Sequence, residues 1–226
     1  LPEGVIRVTK NAFNGCKNLK EIVLSSRTVE IQEKAFYNCT SLTDINFNET
    51  KAISSISVDA LDNTAWLKQQ TGDCLIINGI LYKYRGTETT LHIPKSVTSI
   101  AEYAFANNAK ITTVYLPSTL EMIRKYAFSN AISLTNVVLF KGENALSYIM
   151  ENAFENCVQL KECDLKYAAN LAEINDRAFI NTKSYKDLSI PASLTVIGEE
   201  AFANSGVMTV TVADGSRLQK FGNDSF

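Results

Sequence analysis

Three acidic residues gather late in the sequence: Glu162 and Asp164, two positions apart, and Asp187, 25 residues after Glu162. Paired carboxylates are the equipment of acid–base hydrolysis, and a carboxylate cluster lends oxygens to Ca²⁺. The surrounding pattern argues against both uses, because Lys161 and Lys186 adjoin the acids and no apolar run encloses them to raise a pKa. His92, the only histidine, has no serine, cysteine or metal-ligand partner at a telling spacing. The five cysteines contain no Cys-x-x-Cys, which disfavours zinc. No Gly-rich phosphate loop, nucleophile elbow or zinc-binding helix motif occurs. The reading is of a chain with no catalytic group, no metal and no cofactor, so the elements that hold these residues matter more than the residues alone.

Those elements are repeats. Ala-Phe recurs at Ala12-Phe13, Ala35-Phe36, Ala104-Phe105, Ala127-Phe128, Ala153-Phe154, Ala178-Phe179 and Ala201-Phe202, with Ala60-Leu61 a worn copy and Ser225-Phe226 in the same place. Successive copies lie 23 to 26 residues apart, except for a step of 44 from Ala60 to Ala104. A Leu-x-x-Ile-x-Leu segment follows each pair, as in Ile111-Thr-Thr-Val114-Tyr-Leu116, and Pro94, Pro117 and Pro191 stand just after its last apolar residue. Alternation of this kind makes a short half-buried strand, and proline, lacking an amide donor, ends the ladder. One strand per coil predicts a parallel sheet along one face, with the Ala-Phe segment forming a 3₁₀ or α turn opposite and Phe filling the interior. Asn38, Asn107, Asn130, Asn156, Asn181 and Asn204 occupy one column, with Gly15 in the first coil. That column reads as an asparagine ladder, since an amide at a tight turn bonds stranded backbone groups and tolerates a left-handed conformation.

These repeats resemble the BspA-type, or Treponema-type, leucine-rich repeat: Leu-x-x-Ile-x-Leu-Pro, then x-x-Leu-x-x-Ile-Gly, then x-x-Ala-Phe-x-x-Cys. The likeness covers everything except residues 62 to 88. It departs from the pattern where Gly198 and Gly222 are the only glycines at the turn position, and where Asn108, Ala131, Thr182 and Ser205 replace cysteine. The resemblance implies an α/β fold: a right-handed leucine-rich-repeat solenoid of about nine coils with a concave parallel sheet. It also implies a secreted or cell-surface protein of a host-associated bacterium or protist, adhering to host proteins such as fibronectin and fibrinogen.

Within that frame the cysteines read as small buried fillers, with Cys16, Cys39 and Cys157 in one column and Cys163 at a buried strand position. A Cys16 to Cys39 bridge stays open at one strand spacing, and Cys74, outside the repeats, is expected to be the most accessible thiol. Residues 62–88 interrupt the repeats. Asn78-Gly79 between two apolar runs signals a type I′ hairpin, and Asn63 to Gln70 supplies a helical turn before it. Trp66, Tyr82 and Tyr84 in this insertion read either as interface anchors or as cover for neighbouring coils.

Outward strand positions define the expected binding face: Asn46, His92, Tyr115, Asn136, Val138, Glu162, Asp164, Asp187 and Ser189. With 22 basic and 24 acidic residues the net charge is −2, which gives no footprint for nucleic acid or anionic lipid. No apolar run approaches the roughly 18 residues that span a bilayer. Residues 1–226 read as a single solenoid, and the sequence starts and stops inside a repeat, which implies a longer parent chain with its signal or anchor elsewhere. The expected function is a non-enzymatic extracellular scaffold binding protein partners, with a structural stalk that displays another domain as the alternative and glycan binding or hydrolysis behind both.

Overall fold

The computed structural model describes residues 1–50 and 52–226. They fall into two compact units, Leu1–Gly86 and Thr87–Phe226. In the second unit the Leu-x-x-Ile-x-Leu segments form the strands Thr90–His92, Thr113–Tyr115, Asn136–Val138 and Glu162–Cys163, paired in parallel in that order. Asp187–Ile190 and Thr209–Val212 make a separate parallel pair. In the first unit Glu21–Ile22 pairs with Asp44–Ile45. Most of these strands turn the Ile-type residue inward, as with the fully buried Val114, and the flanking polar residues outward, whereas all four residues of Thr209–Val212 are exposed.

Every coil carries a second strand that the sequence reading did not foresee. Arg7–Val8, Glu30–Ile31 and Ser55–Ile56 pair in the first unit. In the second, Ser99–Ile100, Met122–Ile123, Tyr148–Ile149, Glu173–Ile174, Val196–Ile197 and Lys220–Phe221 form a continuous parallel ladder. Two residues are too few for an alternating pattern to register in the sequence, yet they suffice to bury one isoleucine in every strand between the first, which buries Val8, and the last, whose Phe221 is exposed.

The Ala-Phe segments are single turns, not the helical turns expected from the sequence. Helices among the described residues are confined to α-helix Ala65–Gln69 and the 3₁₀ turns Phe47–Glu49 and Leu165–Tyr167. The cause is backbone sign. The residue before Ala is left-handed in most coils, as at Lys34 (φ 56°), Tyr126 (φ 57°) and Arg177 (φ 55°), and so is the ladder asparagine two residues after Phe. A run of α or 3₁₀ conformation cannot pass through such positions. In exchange, the turn builds a third ladder between coils: the Phe amide donates to the Ala carbonyl of the next coil at Phe105 to Ala127, Phe128 to Ala153, Phe154 to Ala178 and Phe179 to Ala201, each within 2.8 Å.

The core is the phenylalanine column. Phe105, Phe128, Phe154, Phe179, Phe202 and Phe226 stack with neighbouring centroids 4.6 to 5.3 Å apart and ring planes within 14°. Centroids that far apart with near-parallel planes are offset stacks, the arrangement the ring quadrupole favours. The alanine beside each Phe admits the close approach of coils. All five cysteines are free thiols. Cys39 and Cys157 are buried and donate to the Phe13 and Phe128 carbonyls at 3.0 and 3.1 Å. Burial pushes the Cys157 thiol up to about 12 and raises Cys39 and Cys163 as well. Cys16 is exposed whereas Cys74 is half-buried, which corrects the expectation that Cys74 is the most accessible thiol. Cys74 lies in a strand paired opposite Tyr84.

Candidate functional site

Parallel pairing puts the outward residues of the second unit in register. Thr90, Thr113, Asn136 and Glu162 form one row, and His92, Tyr115 and Val138 the next. Asp187 aligns with Thr209 and Ser189 with Thr211. Two concavities open on these rows.

The first spans three coils and encloses about 580 Å³ above His92, Tyr115 and Val138, walled by Pro117 and Phe140. His92 and Tyr115 stack face to face, centroids 4.1 Å apart and planes 7° apart. Phe140 is 58% exposed and Tyr115 37%. Phe140 follows Leu139 where Pro94 follows Ile93, Pro117 follows Leu116 and Pro191 follows Ile190. An exposed phenylalanine in a proline column is a signal the sequence held and the sequence reading missed. Its loop is tied down by the buried Asn144, whose Nδ2 donates to the Tyr167 carbonyl and, at 3.3 Å, to Gly142. Gly142 has φ 152°, and a Cβ there would lie 2.8 Å from the Phe140 ring. Lys95 and Lys141 line the same cleft.

The second concavity, about 650 Å³, lies where the strand ladder stops between Glu162–Cys163 and Asp187–Ile190. The cause is Tyr185, which stands in the column held by Leu134 and Leu160 in the preceding coils. Its buried ring reaches across, and its hydroxyl donates to the Cys163 carbonyl at 3.2 Å. One coil earlier, the equivalent Val137 carbonyl receives the Asp164 amide. The tyrosine thus takes an acceptor that a strand would use. Lys161, Glu162, Asp164, Lys183, Lys186 and Asp187 surround the opening. Burial raises the Asp164 carboxyl, opposed by Lys166, while Glu162 accepts from Asn136 Nδ2 at 3.1 Å. Among the described residues no three His, Cys, Asp or Glu side chains are placed to share a cation.

The remaining expected site residues are held inside the fold. Asn46 accepts the Leu24 amide at 2.7 Å and donates to its carbonyl at 3.3 Å, so its amide braces the neighbouring coil. In the insertion, Asn78 and Gly79 both have positive φ, and the strands Cys74–Ile77 and Ile80–Tyr84 pair antiparallel about them. Tyr82 is fully buried, donating to the Val58 carbonyl at 2.7 Å, and Tyr84 is buried too. Trp66 is half-buried, edge-on to Phe47 at 5.0 Å. The anchor reading therefore fails for Tyr82 and Tyr84, because their burial leaves them no face for a partner.

All six ladder asparagines, and Asn63, which the sequence reading passed over, have φ between 52° and 63°. Where the side chains pair, they bond each other rather than stranded backbone: Asn63 to Asn38 at 2.8 Å, Asn156 to Asn130 at 2.9 Å and Asn181 to Asn156 at 2.8 Å.

Across residues 1–74 and 75–226 the sequence matches the family profile described as BspA type leucine rich repeat region (6 copies). The chain belongs to this family. Among solved structures, the BspA-type chain is similar to a leucine rich cell surface protein of Faecalibacterium prausnitzii A2-165, at 25% identity and a TM-score of 0.58 over 96% of this chain. It spans 59% of that protein's solved chain. Weaker likenesses are to the leucine rich repeat protein TpLRR of T. pallidum, at 20% identity, TM-score 0.49, 62% of this chain and 76% of that one, and to the pneumococcal vaccine antigen PcpA, at 17% identity, TM-score 0.47, 88% of this chain and 56% of that one. No curated protein matches the sequence. Among the described residues of this BspA-type chain, no helix is long and apolar enough to cross a membrane.

Proposed function

We propose that this BspA-type chain is a non-enzymatic scaffold, displayed on or outside the cell, that binds protein partners through the outward rows of its strand face. The observation that carries the reading is the cluster of exposed His92, Tyr115 and Phe140 around the half-buried Val138, with His92, Tyr115 and Val138 on three register-locked strands and Phe140 just past the third. Surface aromatics held by a rigid frame make contact at little entropic cost, which is what a protein-binding patch requires. A non-catalytic reading is supported by how reactive groups are engaged: burial raises the Cys39, Cys157 and Cys163 thiols, and the Tyr185 hydroxyl is bonded to the Cys163 carbonyl. A cell-surface setting is supported by the description of the F. prausnitzii relative.

The test is surface plasmon resonance of the intact chain over immobilised fibronectin, fibrinogen and other matrix and plasma proteins. Binding is expected, and H92A/Y115A should weaken it roughly tenfold or more while leaving the melting temperature within a few degrees. Unchanged binding by the double variant rejects the strand face as the contact surface. No binding to any of these proteins returns the chain to the stalk alternative.

A further inference from the structure

We infer that the cleft over Thr90–His92, Thr113–Tyr115 and Asn136–Val138 receives an extended acidic peptide segment, which seats one large apolar side chain against Phe140 and Val138 and offers flanking carboxylates to Lys95 and Lys141. The inference rests on the protein-binding reading above and specifies the partner's chemistry.

Four features fix that chemistry. The floor and one wall are apolar, formed by Val138, Leu139, Pro117 and Phe140, and a volume of about 580 Å³ holds one aromatic side chain with the backbone on either side. The charge of the lining is single-signed: Lys95 and Lys141 line the cleft and no acidic residue does, with Glu143 on the adjoining groove. Among the described residues neither lysine forms an ion pair. Opposite charge is therefore what an incoming ligand must bring.

Spacing gives the third feature. Ile93, Leu116 and Leu139 are equivalent positions on three successive coils, so Lys95 and Lys141, two residues beyond the first and the third, flank the cleft across two strand spacings, about 10 Å. An extended chain advances about 3.3 Å per residue, so carboxylates three or four residues apart, one on each side of the anchor, match that separation. The fourth feature is preorganisation. The His92–Tyr115 stack fixes two rings, and Asn144 ties the Phe140 loop. The same stack disfavours sugars and nucleic-acid bases, because His92 and Tyr115 cover each other's inner faces and present mostly edges. A net charge of −2 further disfavours nucleic acid.

The experiment is fluorescence anisotropy with the intact chain and fluorescein-labelled synthetic peptides, read at low and high NaCl. The probe is Gly-Asp-Glu-Phe-Glu-Asp-Gly; one control replaces Phe by Ala, and another replaces every acid by its amide. The acidic Phe peptide is expected to bind, each control to bind roughly tenfold more weakly or worse, and added salt to weaken the probe. In the chain, F140A should reduce binding of the Phe peptide. K95E/K141E should abolish its preference over the amide control, and because both lysines are exposed, this variant tests the idea even where F140A folds poorly. Equal affinity for probe and controls, no probe binding, or an unaffected K95E/K141E variant overturns the inference. If matrix-protein binding is nonetheless lost in H92A/Y115A, the scaffold reading survives while the acidic-peptide assignment falls.

Discussion

At the scale of single residues, the asparagine column shows how one backbone angle dictates a side chain. Asn130 has φ 58° and accepts from Asn156, and its own Nδ2 lies 3.3 Å from Ser129 Oγ. Left-handed backbone costs an ordinary L-residue about 1 to 2 kcal/mol, whereas glycine adopts it freely and asparagine more readily than most. The rungs are half-exposed, so their amide-to-amide bonds add less than the backbone preference does. Asn130→Ala should therefore destabilise the fold by about 1 to 2 kcal/mol in urea unfolding, and Asn130→Gly by clearly less. If the two variants are equally damaging, side-chain bonding outweighs backbone conformation in this column. The ordering separates two explanations that the sequence pattern alone left joined.

At the scale of elements, the coil is held by three ladders and a ring stack, and only part of this was readable beforehand. The longer strands were legible because alternation in segments such as Ile111 to Leu116 marks which residues face inward. The Asn78-Gly79 turn was legible because both central residues of a type I′ turn need positive φ. The second strand ladder was not, since two residues carry no period, and the turn geometry was hidden because Lys34, Tyr126 and Arg177 are not residues that announce a left-handed backbone. The phenylalanine stack yields the prediction that belongs here. Phe128 is fully buried between Phe105 and Phe154, at 4.6 and 5.0 Å. Its removal opens a cavity that adjacent coils cannot close without breaking the Phe-to-Ala backbone bonds on either side. Phe128→Ala should cost about 3 to 5 kcal/mol, whereas Phe128→Leu, which keeps most of the volume, should cost markedly less. A cost under about 1 kcal/mol for the alanine variant, measured from urea midpoints, would show that the coils collapse onto the gap.

At the scale of the whole molecule, the candidate site was less legible than the fold, because a repeat reveals what it preserves and a site is made where it is broken. Phe140 in the proline column and Tyr185 in the leucine column are such breaks, and each adjoins one of the two concavities. What the repeat preserves has a collective consequence in the buried ionisable groups. Desolvation raises the Cys157 thiol to about 12 and raises Cys163, Tyr82 and Tyr185 as well. In the unfolded chain a thiol loses its proton near pH 8.5 and a phenol near pH 10. Above those values the unfolded state binds fewer protons than the folded one, so stability falls as pH rises; below them the term is constant and fully present. Each such group contributes a slope of about 1.4 kcal/mol per pH unit, for Cys157 from about pH 9 until its folded pKa is reached. Urea unfolding should therefore show a fall in stability between pH 9 and 11 that steepens as the phenols join the thiols. Cys157→Ala is the decisive variant, because Ala131 occupies the same column one coil earlier and shows that the position accepts alanine. Loss of the thiol's bond to the Phe128 carbonyl should lower stability slightly at neutral pH, and the alkaline slope should become shallower by about one proton's worth. A variant whose slope matches the parent's would mean that Cys157 ionises in the folded chain as it does in water, and that the interior between these coils is wet.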